Sequence, residues 1–326
     1  MAYTLAEVDR LTTDRFIQGV AEDVVNQNPI LALLPVEDVA GTQVTWNRES
    51  TSGTLTGQTA TFSQIGGAVG ESTPSTTQVT ATLAQLTDAA KIPVFAIEAK
   101  GDINDVETFT HDLKMKALFD TFGTAMWYGD NSSNSNEFDG LHSWVDNTLD
   151  TNLDISEGTA ALNISNLDQM MSAVRNVTHL VSNRNIHNRM SQAQYLGGTV
   201  GSATAQNLNV RFGERLRLYG NSAWVVTDYI TQTETDADPP VETGAAHTSV
   251  IALNLGGYSV MGSNNVLYAQ GPTIIQTANG PYMTEPFRVP GESNIEVHYY
   301  WFVGLITPSR RTIGRVRGVT NAAVAV

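Results

Sequence analysis

Cysteine is absent from the 326 residues of this chain. Disulfide bonds, thiolate metal sites and a cysteine nucleophile are therefore excluded. The sequence also lacks any apolar run of the roughly 18 residues that a membrane-spanning helix requires. Its first residues, MAYTLAEVDRLTTDRF, carry charges where a secretory signal peptide needs its apolar segment. These absences predict a protein that is made and assembled in the cytosol, without a membrane partner.

Charge is scarce as well, and positive charge is the scarcer sign. Asp and Glu number 33 against 18 Lys and Arg, so the formal net charge is −15, and 16% of the residues are charged, below the usual quarter. An acidic chain lacks the cations with which a dedicated nucleic-acid binder neutralises phosphates. Low charge density together with many Thr, Asn, Gly and Val residues predicts large polar interfaces.

The segment from Gly53 to Thr87 has one charged side chain, Glu71, and is rich in Thr, Ser, Gly and Gln. Ordering its roughly 35 residues costs on the order of 35–70 kcal/mol of backbone entropy, and a lone hairpin is marginally stable in water. The alternating sequences TQVTWNRE and TQVTATLAQL predict two antiparallel arms. We therefore expect a polar ribbon that becomes ordered by lying on a neighbouring copy of the protein.

Residues 104–128 give the clearest helical pattern. Asn104 is the expected N-terminal cap and Gly129 the expected stop. Gly123 is a weak point inside the helix, because glycine costs roughly 1 kcal/mol relative to alanine there. One apolar stripe is predicted to face the core: Val106, Phe109, Leu113, Ala117, Phe122 and Met126.

The C-terminal sequence NIEVHYYWFVGLITPSRRTIGRVRG predicts one long strand. Because this strand is too apolar for the periphery, we expect it to return to the long helix. Residues 98–150 and 276–326 would then form one domain, into which residues 151–275 are inserted. Residues 231–247, with four carboxylates and no lysine or arginine, are expected to form an exposed acidic loop.

Motifs of enzyme chemistry are missing. The glycine-rich runs lack the Gly-Lys-Ser/Thr of a phosphate loop, and no histidine pair has the spacing of a zinc motif. The carboxylates of residues 231–247 offer no buried pair with separated pKa values, which acid–base catalysis would need. We therefore expect no catalytic residue, no metal site and no cofactor.

The sequence RRTIGRVR concentrates positive charge in an otherwise cation-poor chain. Strand alternation would put Arg311, Arg315 and Arg317 on one face and Arg310 on the other. One interpretation is a set of salt bridges within the chain. The alternative is an intersubunit or cargo-facing patch, where arginine forks bind carboxylate or phosphate with two hydrogen bonds.

Over nearly its whole length, the order of these elements resembles the major capsid proteins of tailed bacteriophages with the Hong Kong 97-type fold. FIQGVAEDVVNQNPILALLP resembles the N-terminal arm of that family. DVETFTHDLKMKALFDTFGTAMWYGD followed by EFDGL resembles the spine helix and its exit. NLDQMMSAVRNVTHLVSNRNIHNRMSQA is similar to the helix–strand–helix that opens the axial (A) domain, and IEVHYYWFVGLITPSRRTIGRVRG resembles the long strand of the peripheral (P) domain.

The resemblance implies an α+β fold with five segments. They are an N-terminal arm (1–38), an extended E-loop hairpin with its return strand (39–97), a P-domain with the spine helix (98–150), an A-domain with the acidic loop (151–275), and long strands that return to the P-domain (276–326).

The resemblance also implies hexamers and pentamers in an icosahedral head around double-stranded DNA, and a scaffold-assisted procapsid that expands on maturation. Implied partners are a portal, decoration proteins and a separate scaffolding protein. The scaffold is expected to be separate because the N-terminal arm is short, unless the chain is a processed product. No lysine precedes Lys91, so the E-loop crosslink of some members is not available. Candidate intersubunit or interior contacts are Trp46, Arg48, Phe62, Glu71, Arg310, Arg311, Arg315 and Arg317, and Gly123 is a candidate bend of the spine helix.

Three other functions remain open at this stage. An encapsulin compartment has the same fold, although the segment NPILALLP favours a phage arm over the opening helix of encapsulins. A phage tail or baseplate protein is a further alternative. A hydrolase that uses the acidic loop is the alternative from a different class.

Overall fold

A computed structural model describes most of the chain. The described residues are 28–49, 64–67, 76–95, 106–145, 152–195, 205–209, 215–234, 247–256, 258–259, 268–269 and 271–325. Residues 1–27 of the predicted N-terminal arm, Phe62, Glu71 and Asn104 lie outside these residues.

The helices with described bounds are α1 (Val106–Tyr128), α2 (Leu141–Trp144), α3 (Ile164–Ala173) and α4 (Arg184–Tyr195), and Pro29–Ala32 and Arg310–Thr312 form short 3-10 turns. The strands are β1 (Val36–Asp38), β2 (Gln43–Glu49), β3 (Thr76–Thr82), β4 (Ala84–Pro93), β5 (Asp154–Asn163), β6 (His179–Ser182), β7 (Ala205–Asn209), β8 (Arg215–Tyr219), β9 (Ser222–Val226), β10 (His247–Leu253), β11 (Tyr258–Ser259), β12 (Tyr268–Ala269), β13 (Thr273–Gln276), β14 (Tyr282–Met283), β15 (Phe287–Arg288), β16 (Asn294–Ile306) and β17 (Ile313–Ala325).

The first sheet is organised around β16. This strand pairs antiparallel with β4 on one side and with β15, β14 and β13 along the other, and β1 pairs parallel with β13. Alternate side chains of β16 are buried, since successive strand residues point to opposite faces. Trp301 packs against Phe122 of α1 with ring centroids 4.6 Å apart, so α1 covers this buried face.

The second sheet has the order β5-β17-β10-β6-β9-β8-β7 among its described strands. Every residue of β10 is buried, because both faces of the sheet are covered. Ile251 and Leu253 belong to the core shared with α1, whereas Val250 and Ala252 belong to the core shared with α3 and α4. The second sheet is therefore the middle layer between two cores.

A separate two-stranded ribbon is formed by β2 and β3. The strands pair antiparallel from Gln43 opposite Thr82 to Glu49 opposite Thr76. The predicted pairing of two alternating arms is thus confirmed for these residues.

The predicted single C-terminal strand is wrong. The chain leaves β16 at Ile306, passes Pro308 and the turn Arg310–Thr312, and enters β17 in the other sheet. Proline has no N–H with which to continue a sheet ladder, and it fixes its own φ. The segment 313–325 accordingly pairs with β5 and β10 of residues 151–275.

Local predictions around the helices also need correction. Asn163 caps α3, because its side chain accepts a hydrogen bond from the Ser165 N–H at 2.9 Å. After α1, residues 141–144 form the short helix α2. On α1, Leu113 is 43% exposed although it was assigned to the core stripe, and Leu118, which was not assigned, is buried.

Candidate functional site

An arginine beside two tryptophans attaches the ribbon to the body of the subunit. On β2, Val44, Trp46 and Arg48 share the less exposed face, as alternation requires. The Arg48 guanidinium lies 5.8 Å from the ring centroid of Trp46 and 5.9 Å from that of Trp144 in α2. The two indole rings are themselves 5.9 Å apart. Trp144 is fixed in turn, because its indole N–H donates to the Asp139 carbonyl at 3.0 Å.

Arg48 also contacts the backbone that joins the two sheets. Its Nε donates to the Pro308 carbonyl at 3.1 Å, and one terminal nitrogen donates to the Thr307 carbonyl at 2.8 Å. A hydrogen bond from a charged group contributes about 1.5–3 kcal/mol. The sequence predicted Trp46 and Arg48 as intersubunit or interior contacts, and the structure places both of them against their own chain.

The arginine cluster divides into two parts. Arg310 and Arg311 lie in the 3-10 turn before β17 and not on a strand, so the predicted alternation does not apply to them. Arg315 and Arg317 lie on β17 and both face Asp154 of β5.

The carboxylate of Asp154 is fully buried between two guanidinium groups. Arg315 Nε lies 3.3 Å from Oδ1, and Arg317 Nε lies 3.2 Å from Oδ2. The Arg315 side chain is 2% exposed and that of Arg317 16%. Because β5 and β17 are parallel and in register at Asp154 and Arg315, the ion pairs fix the alignment of these strands. Arg315 and Arg317 thus form the intrachain salt bridges of the first interpretation.

Gly123 of α1 lies directly under an aromatic ring. A Cβ atom at this position would lie 2.7 Å from the ring of Tyr229, so only glycine permits this approach. The Tyr229 hydroxyl donates to Asp120 at 2.7 Å, one turn earlier on α1. Burial, and then the hydrogen bond to Asp120, raises the pKa of Tyr229 well above its ordinary value. The phenol therefore stays protonated and joins α1 to the segment that follows β9. Gly123, the candidate bend of the helix, has this packing role.

A buried carboxylate that the sequence did not reveal lies beside the end of α1. Glu234, expected in an exposed acidic loop, is 5% exposed. It accepts hydrogen bonds from the Tyr128 hydroxyl at 3.0 Å and from the Ser249 hydroxyl at 2.5 Å. His142 Nε2 of α2 lies 4.0 Å from the same carboxylate. Its neighbours come from three separate parts of the chain, so no local pattern could have identified it.

Other kinds of site find no support in the part of the chain that the structure describes. There, no group of three or more His, Asp or Glu side chains could hold a metal ion. Among the same residues, no helix is both long and apolar enough to cross a membrane.

Comparison with known proteins identifies the architecture. Residues 12–154 match the family model "Major capsid protein GP7". No curated protein matches the sequence.

Three solved structures are similar along almost the entire chain. A chain of the SrpI encapsulin complex from Synechococcus elongatus PCC 7942 gives a TM-score of 0.61 at 10% identity, covering 100% of this chain and 99% of that one. The capsid of an empty GTA particle gives 0.61 at 15% identity, with 94% and 100% covered. A chain from Microbacterium phage Oxtober96 gives 0.59 at 9% identity, with 97% and 98% covered.

At such low identities the structural likeness establishes the fold, which capsid and encapsulin shells share. The predicted α+β, Hong Kong 97-type fold is therefore confirmed. Within that fold, the family match makes residues 12–154 similar to phage-type major capsid proteins of the GP7 family.

Proposed function

We propose that this protein is the subunit of an icosahedral phage head, in which hexamers and pentamers of the chain enclose double-stranded DNA. The observation that carries the proposal is the capsid-type fold over nearly the whole chain, together with the major-capsid family match over residues 12–154. The role is structural: the subunit contributes interfaces, and no catalytic step is assigned to it.

The ribbon supplies the means of assembly in this proposal. Its described arms are paired as far as Glu49 opposite Thr76. Among the 26 residues from 50 to 75, Glu71 has the single ionisable side chain. A nearly neutral polar ribbon can lie on the next acidic subunit without like-charge repulsion.

The segments take the family roles in the proposal. Residues 1–38 act as the arm, 39–97 as the E-loop, 98–150 as the P-domain with the spine helix, and 151–275 as the A-domain. In this proposal β16 belongs to the P-domain, and β17 belongs to the A-domain because it pairs with β5 and β10. We further propose assembly in the host cytoplasm with a separate scaffolding protein, a portal and, where present, decoration proteins.

Contact with DNA is proposed to be weak and independent of sequence. With a net charge of −15 the subunit has few cations to exchange for the counterions of DNA. Arg315 and Arg317 are already paired with Asp154. The shell would thus enclose DNA without binding it tightly.

The direct test removes the outer part of the ribbon and keeps its described base. Replacing residues 50–75 by Asn-Gly joins β2 to β3 through a two-residue turn suited to a hairpin. We expect a folded body with unchanged circular dichroism and no closed shells by negative-stain microscopy. A matched control replaces only residues 64–67 by four residues of Gly and Ser, which preserves ribbon length. Closed shells from the shortened variant would overturn the role of the ribbon.

An encapsulin compartment is the second candidate, because the SrpI encapsulin chain covers this chain completely. Purified particles distinguish the two functions by their contents. A phage head produced together with its packaging machinery should contain nuclease-protected double-stranded DNA. Particles that instead capture a specific protein, and exclude DNA, would establish the encapsulin alternative.

A further inference from the structure

The contacts of Arg48 connect three parts of the fold that are far apart in sequence. Arg48 lies on the ribbon, Trp144 lies at the end of the short helix after α1, and Thr307 and Pro308 follow β16. The turn from Thr307 to Thr312 is also where the chain crosses from the first sheet to the second. The ribbon is therefore attached at the junction of the two sheets.

We propose that Arg48 is the positioning residue of the ribbon: it sets the direction in which β2 and β3 leave the body by binding the junction between the sheets. The inference rests on the proposed function, since direction matters when the ribbon must meet a neighbouring copy.

The geometry requires arginine and not merely a positive charge. A planar guanidinium donates from Nε and from a terminal nitrogen in one plane, and it stacks on aromatic faces at the same time. Here the two donors bind consecutive carbonyls while both indole rings lie within 6 Å of the carbon that carries the charge. A lysine ammonium has one compact charge on a flexible stem, so it cannot present two donors in one plane beside the rings.

The surrounding face of β2 is shaped for this contact. Val44, Trp46 and Arg48 point toward the body, whereas Gln43, Thr45 and Asn47 are exposed. On β3, Val79 lies opposite Trp46 and belongs to the same less exposed face of the ribbon. Loss of the Arg48 contacts would release this face and let the β2–β3 pairing open more often, since a lone hairpin is only marginally stable in water.

The first test measures the ribbon in the full-length chain, kept below its assembly concentration. In Arg48→Lys and Arg48→Gln, we expect amide hydrogen exchange in residues 43–48 to accelerate by about tenfold or more, because bonds from a charged donor are lost. The near-ultraviolet circular dichroism of the Trp46–Trp144 pair should weaken in both variants. The unfolding midpoint of the body should match that of the control Arg184→Lys, whose side chain is 62% exposed.

The Arg48→Lys variant distinguishes a positioning role, which needs the planar guanidinium, from a role that needs only a positive charge. If Arg48→Lys shows wild-type exchange and wild-type dichroism, the planar fork is not needed and the proposal is overturned. A different result would be a lower unfolding midpoint of the body in both variants, with hydrogen exchange in the ribbon unchanged relative to the body. Arg48 would then stabilise the body without positioning the ribbon, and the proposal would be overturned.

The second test examines particle shape. We expect Arg48→Lys to yield open sheets, spirals or shells of mixed diameter at a subunit yield equal to that of Arg184→Lys. Uniform shells of wild-type diameter from Arg48→Lys would overturn the proposal. If the unaltered chain itself forms no shells, the proposed function fails, while the exchange and dichroism measurements still decide the role of Arg48.

Discussion

The two sheets of this protein are stabilised by different chemistry. The first sheet is held against α1 by aromatic rings, with Trp301 between Phe119 at 5.3 Å and Phe122 at 4.6 Å. The second sheet has two cores, and between its strands β5 and β17 it buries the carboxylate of Asp154 with two arginines. Ring packing tolerates small sliding movements, whereas a buried ion pair is satisfied in one alignment only.

This difference indicates which contacts fix the position of their elements and which allow small movements. The parallel pairing of β5 with β17 is defined by charge, because any shift in register would leave a buried guanidinium without its carboxylate. The contact of α1 with β16 and with Tyr229 is defined by shape, at Gly123 above all. Three experiments test the contrast.

The largest effect is expected from removing the buried carboxylate. Asp154→Ala leaves the guanidinium groups of Arg315 and Arg317 without this partner, and breaking a buried pair costs about 3–5 kcal/mol of unfolding free energy. Urea denaturation measures the loss. The control Asp112→Ala removes an exposed carboxylate of α1 and should stay within about 0.5 kcal/mol of the wild type. An Asp154→Ala protein as stable as this control would show that charge does not define the second sheet.

A smaller effect is expected where shape defines the contact. Gly123→Ala would ordinarily stabilise a helix by roughly 1 kcal/mol, but the new methyl group meets the Tyr229 ring, and overpacking costs typically about 1–3 kcal/mol. We expect a net destabilisation in urea denaturation. In the Tyr229→Ala background the same substitution should become stabilising, because the clash is gone. Stabilisation by Gly123→Ala alone would contradict the packing role and restore the flexible-bend interpretation.

The smallest effect is expected from a change of pH, which should weaken the second sheet at a higher pH than the first. Burial lowers the pKa of His179 in β6 below its ordinary 6.5, so its neutral form stabilises the fold above pH 6.5 and that contribution is lost as pH falls through the lowered pKa. In the first sheet, the hydrogen bond from His298 lowers the pKa of Glu296 below its ordinary 4.5, so that contribution is lost only below pH 4.5.

Acidification from pH 7.5 to 5.5 should therefore loosen β6 before β16. Hydrogen exchange, corrected for its intrinsic pH dependence, should show reduced protection at residues 179–182 and unchanged protection at 295–303. His179→Asn removes the titrating ring and should abolish the difference between the two pH values. Equal loss of protection in both sheets would show that the effect of pH is not local.

Local sequence patterns were sufficient for elements whose stability depends on their own alternation or period. The arms TQVTWNRE and TQVTATLAQL were identified as a pair, and Trp46 lies opposite Val79 in that pair. The long helix was predicted to within two residues of its described start. The family resemblance then supplied the fold class, which local patterns alone could not.

The features that local patterns did not predict depend on contacts between residues far apart in the sequence. Glu234 lies in a run of acidic and polar residues, and only the approach of Tyr128, Ser249 and His142 makes it a buried group. The partner of Arg315 and Arg317 is more than 150 residues away in sequence, at Asp154. The break at Pro308 was visible in the sequence, but its meaning depended on which sheet receives the next strand.

Both sheets take an interior strand from the last part of the sequence, β16 in one and β17 in the other. During translation, therefore, β4 and β5 emerge long before the strands that will lie beside them. The first sheet cannot close before β16 is complete at Ile306, and the second cannot close before β17 is complete at Ala325. Until then the edges of β4 and β5 are open to pairing with other nascent chains, which makes the unfinished chain prone to aggregation.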